Sequence, residues 1–384
     1  MRQNMHHRLA ALGLCICFIY LFSFLLQNGH EARRTPVIIG RDDDFWKERK
    51  DARPPTASMV KNRFEKRPPS KNAPKIKIAN QPLAHQASAA DLMPLGLCNY
   101  MTMAYDSSED ESIGSLMFQY ASLYGISEMN RKLPFLPSTF PLLDYFDLSI
   151  PVEDYSTTTF QNLTEPKGCC RYQNPQAPCH TNITLFGRRR SWRYFHRQRE
   201  DLKKEFKLLP AFHQQCHSNL SHIFTTFSID PSKCLLIGVH ARIGYFQPNP
   251  RGNRTKHDID TVDYLRRAMK HFKMEFRDEY ACIAYIVLGN DYEWMYNVFV
   301  EEREALGLKN ANIPIAVHWT NNPMMDLCIL THTNHTIFTF GAVGWWVAYL
   351  TNGLVTYQSE YADLLNSDKE YKRSDYFLPE WMAL

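Results

Sequence analysis

The 384-residue chain has no internal repeat, no large excess of charge of either sign, and no Cys-x-x-Cys pair among its cysteines. The missing repeat excludes solenoids and propellers. The missing cysteine spacing excludes Cys-x-x-Cys zinc sites and redox dithiols. A net charge of +4 is too small to imply a nucleic-acid partner. From Gln27 to Leu95 apolar periodicity is lacking as well, while Pro54, Pro55, Pro68, Pro69, Pro74 and Pro82 crowd in among charges. Such a segment cannot bury enough surface to offset its ordering entropy, so residues 27–95 read as a flexible stem.

What is present begins with the uncharged run Leu9–Leu26, whose 18 residues are about the minimum for a membrane-spanning helix. Arg2 and Arg8 precede it and favour a cytoplasmic N-terminus, although Arg33 and Arg34 follow. The competing reading is a cleaved signal peptide, whose apolar core is about 7–15 residues; no small-x-small site closes this run. The expectation is a cytoplasmic tail over 1–8, a signal anchor over 9–26 and a lumenal remainder. Five acceptor sequons, at Asn162, Asn182, Asn219, Asn253 and Asn334, all follow the anchor. Asn334 lies in an apolar stretch and is expected to be buried and unmodified. Beyond Cys15 and Cys17 eight cysteines remain, an even number that permits lumenal disulfides, best placed at the cluster Cys169, Cys170 and Cys179.

The globular part begins near Gly96. Leu97–Ala104 reads as a strand and Ser112–Met129 as a helix beyond the acidic loop Asp106–Glu111; Trp192–Leu208 reads as helical. After Pro231 strands and helices alternate. Cys234–His240, Ala281–Leu288, Pro314–Val317, Thr336–Phe340 and Leu354–Tyr357 read as strands. Asp260–Phe276, Tyr292–Leu306, Met324–Leu330 and Gly344–Leu350 read as helices. In the first of these, Val262, Leu265, Met269 and Phe272 share one face. Strands that are apolar throughout and alternate with helices predict an α/β fold with a parallel sheet covered on both faces. The expected division is a lobe over 96–230 and a second over 231–384. Ligands of such sheets bind beyond the carboxyl ends of the strands. Those ends offer His240-Ala241-Arg242-Ile243-Gly244-Tyr245, Gly289-Asn290-Asp291, and Gly341-Ala342-Val343-Gly344 at a helix N-terminus. A fixed cation, small polar groups and free backbone N–H groups suit a diphosphate.

The stretch from Asp326 to Gly353, with Asn334-His-Thr-Ile running into Gly341-x-x-Gly-Trp-Trp346, resembles the donor-site segment of the α-1,2-fucosyltransferases. Met117–Asn130 and Phe377-Leu-Pro-Glu-Trp381 are similar to that family's first helix and C-terminus. The resemblance implies a GT-B-like fold of two Rossmann-like lobes and inverting transfer of L-fucose from GDP-β-L-fucose to the 2-hydroxyl of a galactoside. It implies a nucleotide-sugar donor, a glycan acceptor, no obligatory metal or other cofactor, and a single-pass type II Golgi membrane protein. Arg242 and His240 are its implied catalytic residues. Gly244, Asn290, Asp326, Thr339, Gly341, Gly344 and Trp345 are its implied donor-binding residues. An arginine about 4 Å from a diphosphate oxygen is worth about 4 kcal/mol at an effective dielectric near 20, so it can replace a metal at the leaving group.

The chain departs from the family pattern His-x-Arg-Arg-Gly-Asp at Ile243 and Tyr245, and from a Gly-x-Gly-Asn-Gln loop at Gly114-Ser115-Leu116. These departures keep open a second reading, a non-catalytic relative that binds a glycan or a partner. Asp258-Ile-Asp260 has the spacing of a metal-binding pair but falls where a helix cap is wanted. His213 and His217 lie four apart, which could suit a metal, but without a further ligand nearby the pair reads as part of a plain amphipathic helix. The run Arg188, Arg189, Arg190 and Arg193, with Arg197 and Arg199, reads as a solvated face.

Overall fold

The structure, a computed structural model, describes residues 98–105, 112–154, 159–165, 170–243, 256–308, 313–359 and 372–384. All belong to one compact unit, Lys71–Leu384; a second unit, Met1–Ser70, lies outside the described residues. The tail, the anchor, the stem, Asp106–Glu111, Cys169, Gly244, Tyr245 and Asn253 also lie outside them.

Two sheets are present, and every pairing within them is parallel. The smaller sheet comprises β1 (Tyr100–Met103), β2 (Leu133–Pro134), β3 (Gln161–Thr164) and β4 (Ile183–Phe186), in the order β2-β1-β4-β3. Helix α1 (Ile113–Met129) packs on it. The larger sheet comprises β5 (Cys234–Ala241), β6 (Cys282–Gly289), β7 (Ile315–Val317), β8 (His335–Phe338), β9 (Val355–Tyr357) and β10 (Met382–Ala383). Its order is β10-β9-β8-β5-β6-β7. Read from β7, the strands run third, second, first, fourth, fifth, sixth, which is the Rossmann order.

Strand β5 is buried along its whole length, as its unbroken apolar run predicts. Its alternate side chains serve two cores. Leu235, Ile237, Val239 and Ala241 face the helix α4 (Lys256–Glu275), where Val262, Leu265, Met269 and Phe272 form the expected stripe. Cys234 and Leu236 face a second core that both sheets share. Trp345 and Trp346 sit at its centre with Phe118, Phe195 and Tyr349.

The five strands expected after Pro231 fall within two residues of their bounds, and β10 was not expected. The predicted helix Trp192–Leu208 breaks into two 3-10 turns, Trp192–Tyr194 and His196–Gln198, before α2 (Arg199–Glu205). Phe195 interrupts it at φ −137° because its ring stacks on Trp346 at 5.5 Å. The helix predicted over Tyr292–Leu306 is α5 (Tyr292–Tyr296) followed by a π turn, Asn297–Glu301. Asp258 and Asp260 do not cap α4, which starts earlier at Lys256. Asn334 is half-buried rather than buried, and its amide oxygen accepts the Leu236 N–H at 2.9 Å.

Within the expected cluster Cys170 and Cys179 are both disulfide-bonded, Cys179 to Cys98 outside the cluster. Two further disulfides join Cys234 to Cys282, across the starts of β5 and β6, and Cys216 to Cys328. The latter ties α3 (Pro210–Thr226) to α6 (Pro323–Thr331), which leads into β8.

Candidate functional site

The order of the larger sheet reverses between β5 and β8, and ligands of open α/β sheets bind in the crevice beyond such a switch point. The segments that follow these two strands carry Arg242 and Gly341. Gly341 caps α7 (Ala342–Thr351) with φ 101° and ψ 159°, a backbone conformation that side chains rarely adopt. The Arg242 side chain lies across it, so that a Cβ on Gly341 would stand 2.9 Å from Arg242 Cδ and 3.2 Å from Nη1. Strand alternation puts Arg242 on the α7 side, the same side as His240. No carboxylate among the described residues is within ion-pair distance of Arg242. A guanidinium beside a helix N-terminus offers up to five N–H donors, free backbone N–H groups and a favourable dipole to an anion.

Two clamps hold Arg242 in place, one from each neighbouring strand. From the end of β8, Thr339 Oγ1 accepts the Arg242 N–H at 2.9 Å and donates to its carbonyl at 3.0 Å. From the end of β6, Asn290 Oδ1 accepts the Ile243 N–H and Nδ2 donates to the Ile243 carbonyl, both at 2.8 Å. Gly289 permits this approach, because a Cβ there would overlap the Ala241 carbonyl oxygen at 1.9 Å. Thr339 and Asn290, expected to touch the donor, therefore hold the backbone that carries the arginine. Ile243 turns its side chain into the protein and is 8% exposed.

His240 is also buried, and its Nδ1 would be 2.9 Å from a Cβ on Gly344. Burial, reinforced by the Arg242 charge, holds its pKa down to about 3. It is a neutral imidazole under α7. Gly344 thus serves close packing of helix on strand, as the third glycine of a dinucleotide fingerprint does.

The smaller sheet supplies a second wall. A Cβ on Gly114, in the first turn of α1, would stand 2.6 Å from the Ala342 carbonyl carbon and the Val343 nitrogen, so two helix N-termini meet there. The Trp346 indole donates to the Gly114 carbonyl at 2.9 Å and locks the seam. Next to it, Ser115 accepts a hydrogen bond from Arg190 Nη2. The buried Tyr376 hydroxyl, whose pKa burial raises to about 12, feels both Arg190 and Arg242, which act to lower it. Tyr376 thus lies in the field of two guanidinium groups, Arg242 after β5 and Arg190 in the segment after β4.

Arg190 was not legible as a site residue, because the run Arg188–Arg193 reads as a solvated face. That expectation holds for Arg188, Arg193 and Arg197, which are exposed, and fails for Arg189. Arg189 is 4% exposed and donates to the Leu163 carbonyl at 2.6 Å, and Arg193 pairs with the buried Asp375 at 2.9 Å. The aromatics interleaved with the run (Trp192, Tyr194, Phe195) were the available signal, since a solvated face has no use for them.

Other expected residues sit elsewhere. Trp345 is fully buried, and its indole donates to the Tyr376 carbonyl at 2.7 Å. It builds the core under the crevice and has no open face for a ligand. Asp326 lies in the first turn of α6, 6% exposed, with the Thr320 hydroxyl donating to it. Desolvation raises its pKa to about 6 against that hydrogen bond. Gly244 is outside the described residues. A separate groove of about 500 Å³ has Asn130, Tyr172, Trp192, Arg193 and Arg197 among its lining residues. Neither Arg242 nor Gly341 reaches it, so it is not the crevice at the switch point.

A Rossmann-ordered sheet with a clamped arginine over a helix N-terminus at its switch point defines a protein built to hold a phosphorylated, nucleotide-type ligand. The chain belongs to glycosyl transferase family 11, whose model matches residues 80–384. It is 31% identical over 285 residues to the galactoside alpha-(1,2)-fucosyltransferase 1 of Plecturocebus brunneus, covering 72% of this chain and 73% of that protein. The Mus musculus protein of the same name is 28% identical over 284 residues, covering 71% and 70%. Among solved structures, an Arabidopsis thaliana FUT1 mutant in complex with GDP has a TM-score of 0.42 and 11% identity, over 67% of this chain and 69% of that one. NodZ alpha-1,6-fucosyltransferase co-crystallized with GDP has a TM-score of 0.41 and 10% identity, over 65% and 91%. Likenesses at that level carry no argument about the site.

Proposed function

We infer that the protein is an inverting α-1,2-fucosyltransferase that moves L-fucose from GDP-β-L-fucose to the 2-hydroxyl of a galactoside. The observation that carries this is Arg242, held over the N-terminus of α7 at the switch point of the sheet, in a chain of family 11. In the transfer, the acceptor oxygen bonds to the anomeric carbon as the bond from that carbon to the β-phosphate oxygen breaks. The acceptor's hydroxyl proton is released. Negative charge builds on the departing diphosphate, and a fixed guanidinium and helix N-terminus are worth most there. Arg190 supplies the second cation that Ile243 does not. His240, buried and neutral, positions β5 against α7 rather than moving a proton. The test is transfer of labelled fucose to a galactoside by the purified full-length chain and by Arg242→Ala. Full activity in that variant would sink the assignment.

The finer architecture belongs to the same proposal: a GT-B-like pair of lobes, 96–230 and 231–384, behind a tail (1–8), an anchor (9–26) and a stem (27–95). Among the described residues no helix is long and apolar enough to cross a membrane, and the apolar run lies outside them. The run, its flanking arginines and the sequons support a single-pass type II protein of the Golgi membrane. Asn162 is exposed in β3 while the Asn334 amide is engaged. Endoglycosidase should therefore release glycan from Asn162 and none from Asn334, and an unglycosylated cellular protein would count against lumenal orientation. The same proposal has no metal at the diphosphate, so transfer should persist in excess chelator.

A further inference from the structure

His213 and His217 stand one turn apart on α3, and the fold brings a third imidazole to them. His332 caps the C-terminal end of α6, and one ligand nitrogen from each ring lies within 4.8 Å of the other two. The Nε2 atoms of His213 and His217 are 3.0 Å apart. Four-coordinate zinc with bonds of about 2.0–2.1 Å requires nitrogens about 3.3 Å apart, so the His213–His217 pair stands close to the requirement. His213 is exposed, and its ring can turn to close the set. A shared proton between His213 and His217 would also explain 3.0 Å, but it gives no reason for the third ring.

Two features preorganise the cluster. His332 Nδ1 lies 2.7 Å from the Cys328 carbonyl oxygen. That contact makes Nδ1 the protonated nitrogen and Nε2 the lone-pair nitrogen, the arrangement metal-bound histidines adopt. The disulfide Cys216–Cys328 joins the two helices at the same place: Cys216 precedes His217, and Cys328 is one turn before His332. With their thiols oxidised, these cysteines are not ligands, and the donor set is three neutral imidazoles. Imidazole suits zinc, copper and nickel and does not suit magnesium or calcium.

We propose that His213, His217 and His332 form a zinc-class metal site that clips α3 to α6. These helices lead into β5 and β8, the two strands flanking the crevice. His332 precedes the start of β8, so the site lies at the opposite end of the sheet from Arg242 and takes no part in the diphosphate chemistry. It stiffens the frame on which Arg242 and Gly341 are aligned.

The test is a zinc titration of the untagged full-length chain by calorimetry, with thermal melts alongside. We expect one saturable zinc per chain, a zinc-dependent rise in melting temperature, and no response to magnesium. His213→Ala and His332→Ala should each weaken zinc binding by at least about tenfold, and fucosyl transfer by His213→Ala should stay at the zinc-free wild-type level. Zinc-free His213→Ala should melt like zinc-free wild type, because His213 is exposed, and this variant decides the matter if His332→Ala does not fold. Absence of saturable zinc binding in the wild type, or undiminished binding in His213→Ala, would overturn the proposal.

Discussion

Arg242 and Gly341 occupy each other's space: the arginine stem fills the volume that a side chain on the glycine would need, with Cδ 2.9 Å from the ideal Cβ position. Gly341 is required twice, for that volume and for its φ of 101°. Gly341→Ala should lower stability by about 1–3 kcal/mol through backbone strain and displace the guanidinium. We expect kcat/KM for GDP-fucose to fall at least about tenfold, equivalent to about 1.4 kcal/mol. An unchanged kcat/KM would show that Arg242 does not act from this position.

The two arginines make separable predictions. Arg242→Ala should lower kcat/KM by about a thousandfold, matching a loss of about 4 kcal/mol, without loss of the folded state. Arg190→Ala should lower it by about ten- to a hundredfold, with a smaller salt dependence of donor binding. Arg190→Lys should recover part of the loss, because a cation remains while the hydrogen bond to Ser115 is altered. If Arg190→Ala binds GDP as tightly as wild type, the second cation is not Arg190.

Asn290 tests whether the clamp matters as much as the cation. Asn290→Ala removes both hydrogen bonds to Ile243, worth about 1 kcal/mol each. Asn290→Asp keeps the acceptor for the Ile243 N–H and loses only the donor. Ordering of kcat/KM as wild type above Asp above Ala, with Arg242 unaltered, would establish a positioning role. Equal activities would leave Asn290 as a surface amide.

Much of the larger sheet was legible because its central strands are buried on both faces, so β5 and β6 appear as apolar runs that need no partner to be recognised. Arg242, Gly341 and Gly344 could be found because strand ends place loops, and the switch-point rule needs only strand order. The second wall was legible only in part. Gly114 and Ser115 stood out as departures from the family's loop, whereas Arg190 comes from a segment whose meaning depends on a contact 75 positions away, its bond to Ser115. Trp345 could be read as core or as donor contact for a related reason: the helix that supplies the N–H groups also carries the core, and periodicity does not say which face of a fully apolar helix meets the ligand. Of the three-histidine cluster, only the pair on α3 could be read, since His332 arrives through tertiary packing.

Asp326 gives a prediction of definite sign. Its pKa is raised from 3.8 to about 6, chiefly by burial, so the folded state holds this proton more tightly than the unfolded state. Stability is then lost as pH rises from about 4 to about 6, and the full cost above that range is at most about 3 kcal/mol. Two buried histidines act in the opposite sense. His240 and His335 are lowered to about 3 and about 4, mainly by desolvation, and their contribution is lost as pH falls. The wild-type profile therefore mixes the two effects, and the difference from Asp326→Asn isolates the carboxyl, because the amide still accepts from Thr320 and does not titrate. Denaturant midpoints should show the variant gaining on wild type as pH rises from 4.5 to 7, by roughly 1–3 kcal/mol at the upper end. A constant difference across that range would mean that Asp326 ionises freely in the folded protein.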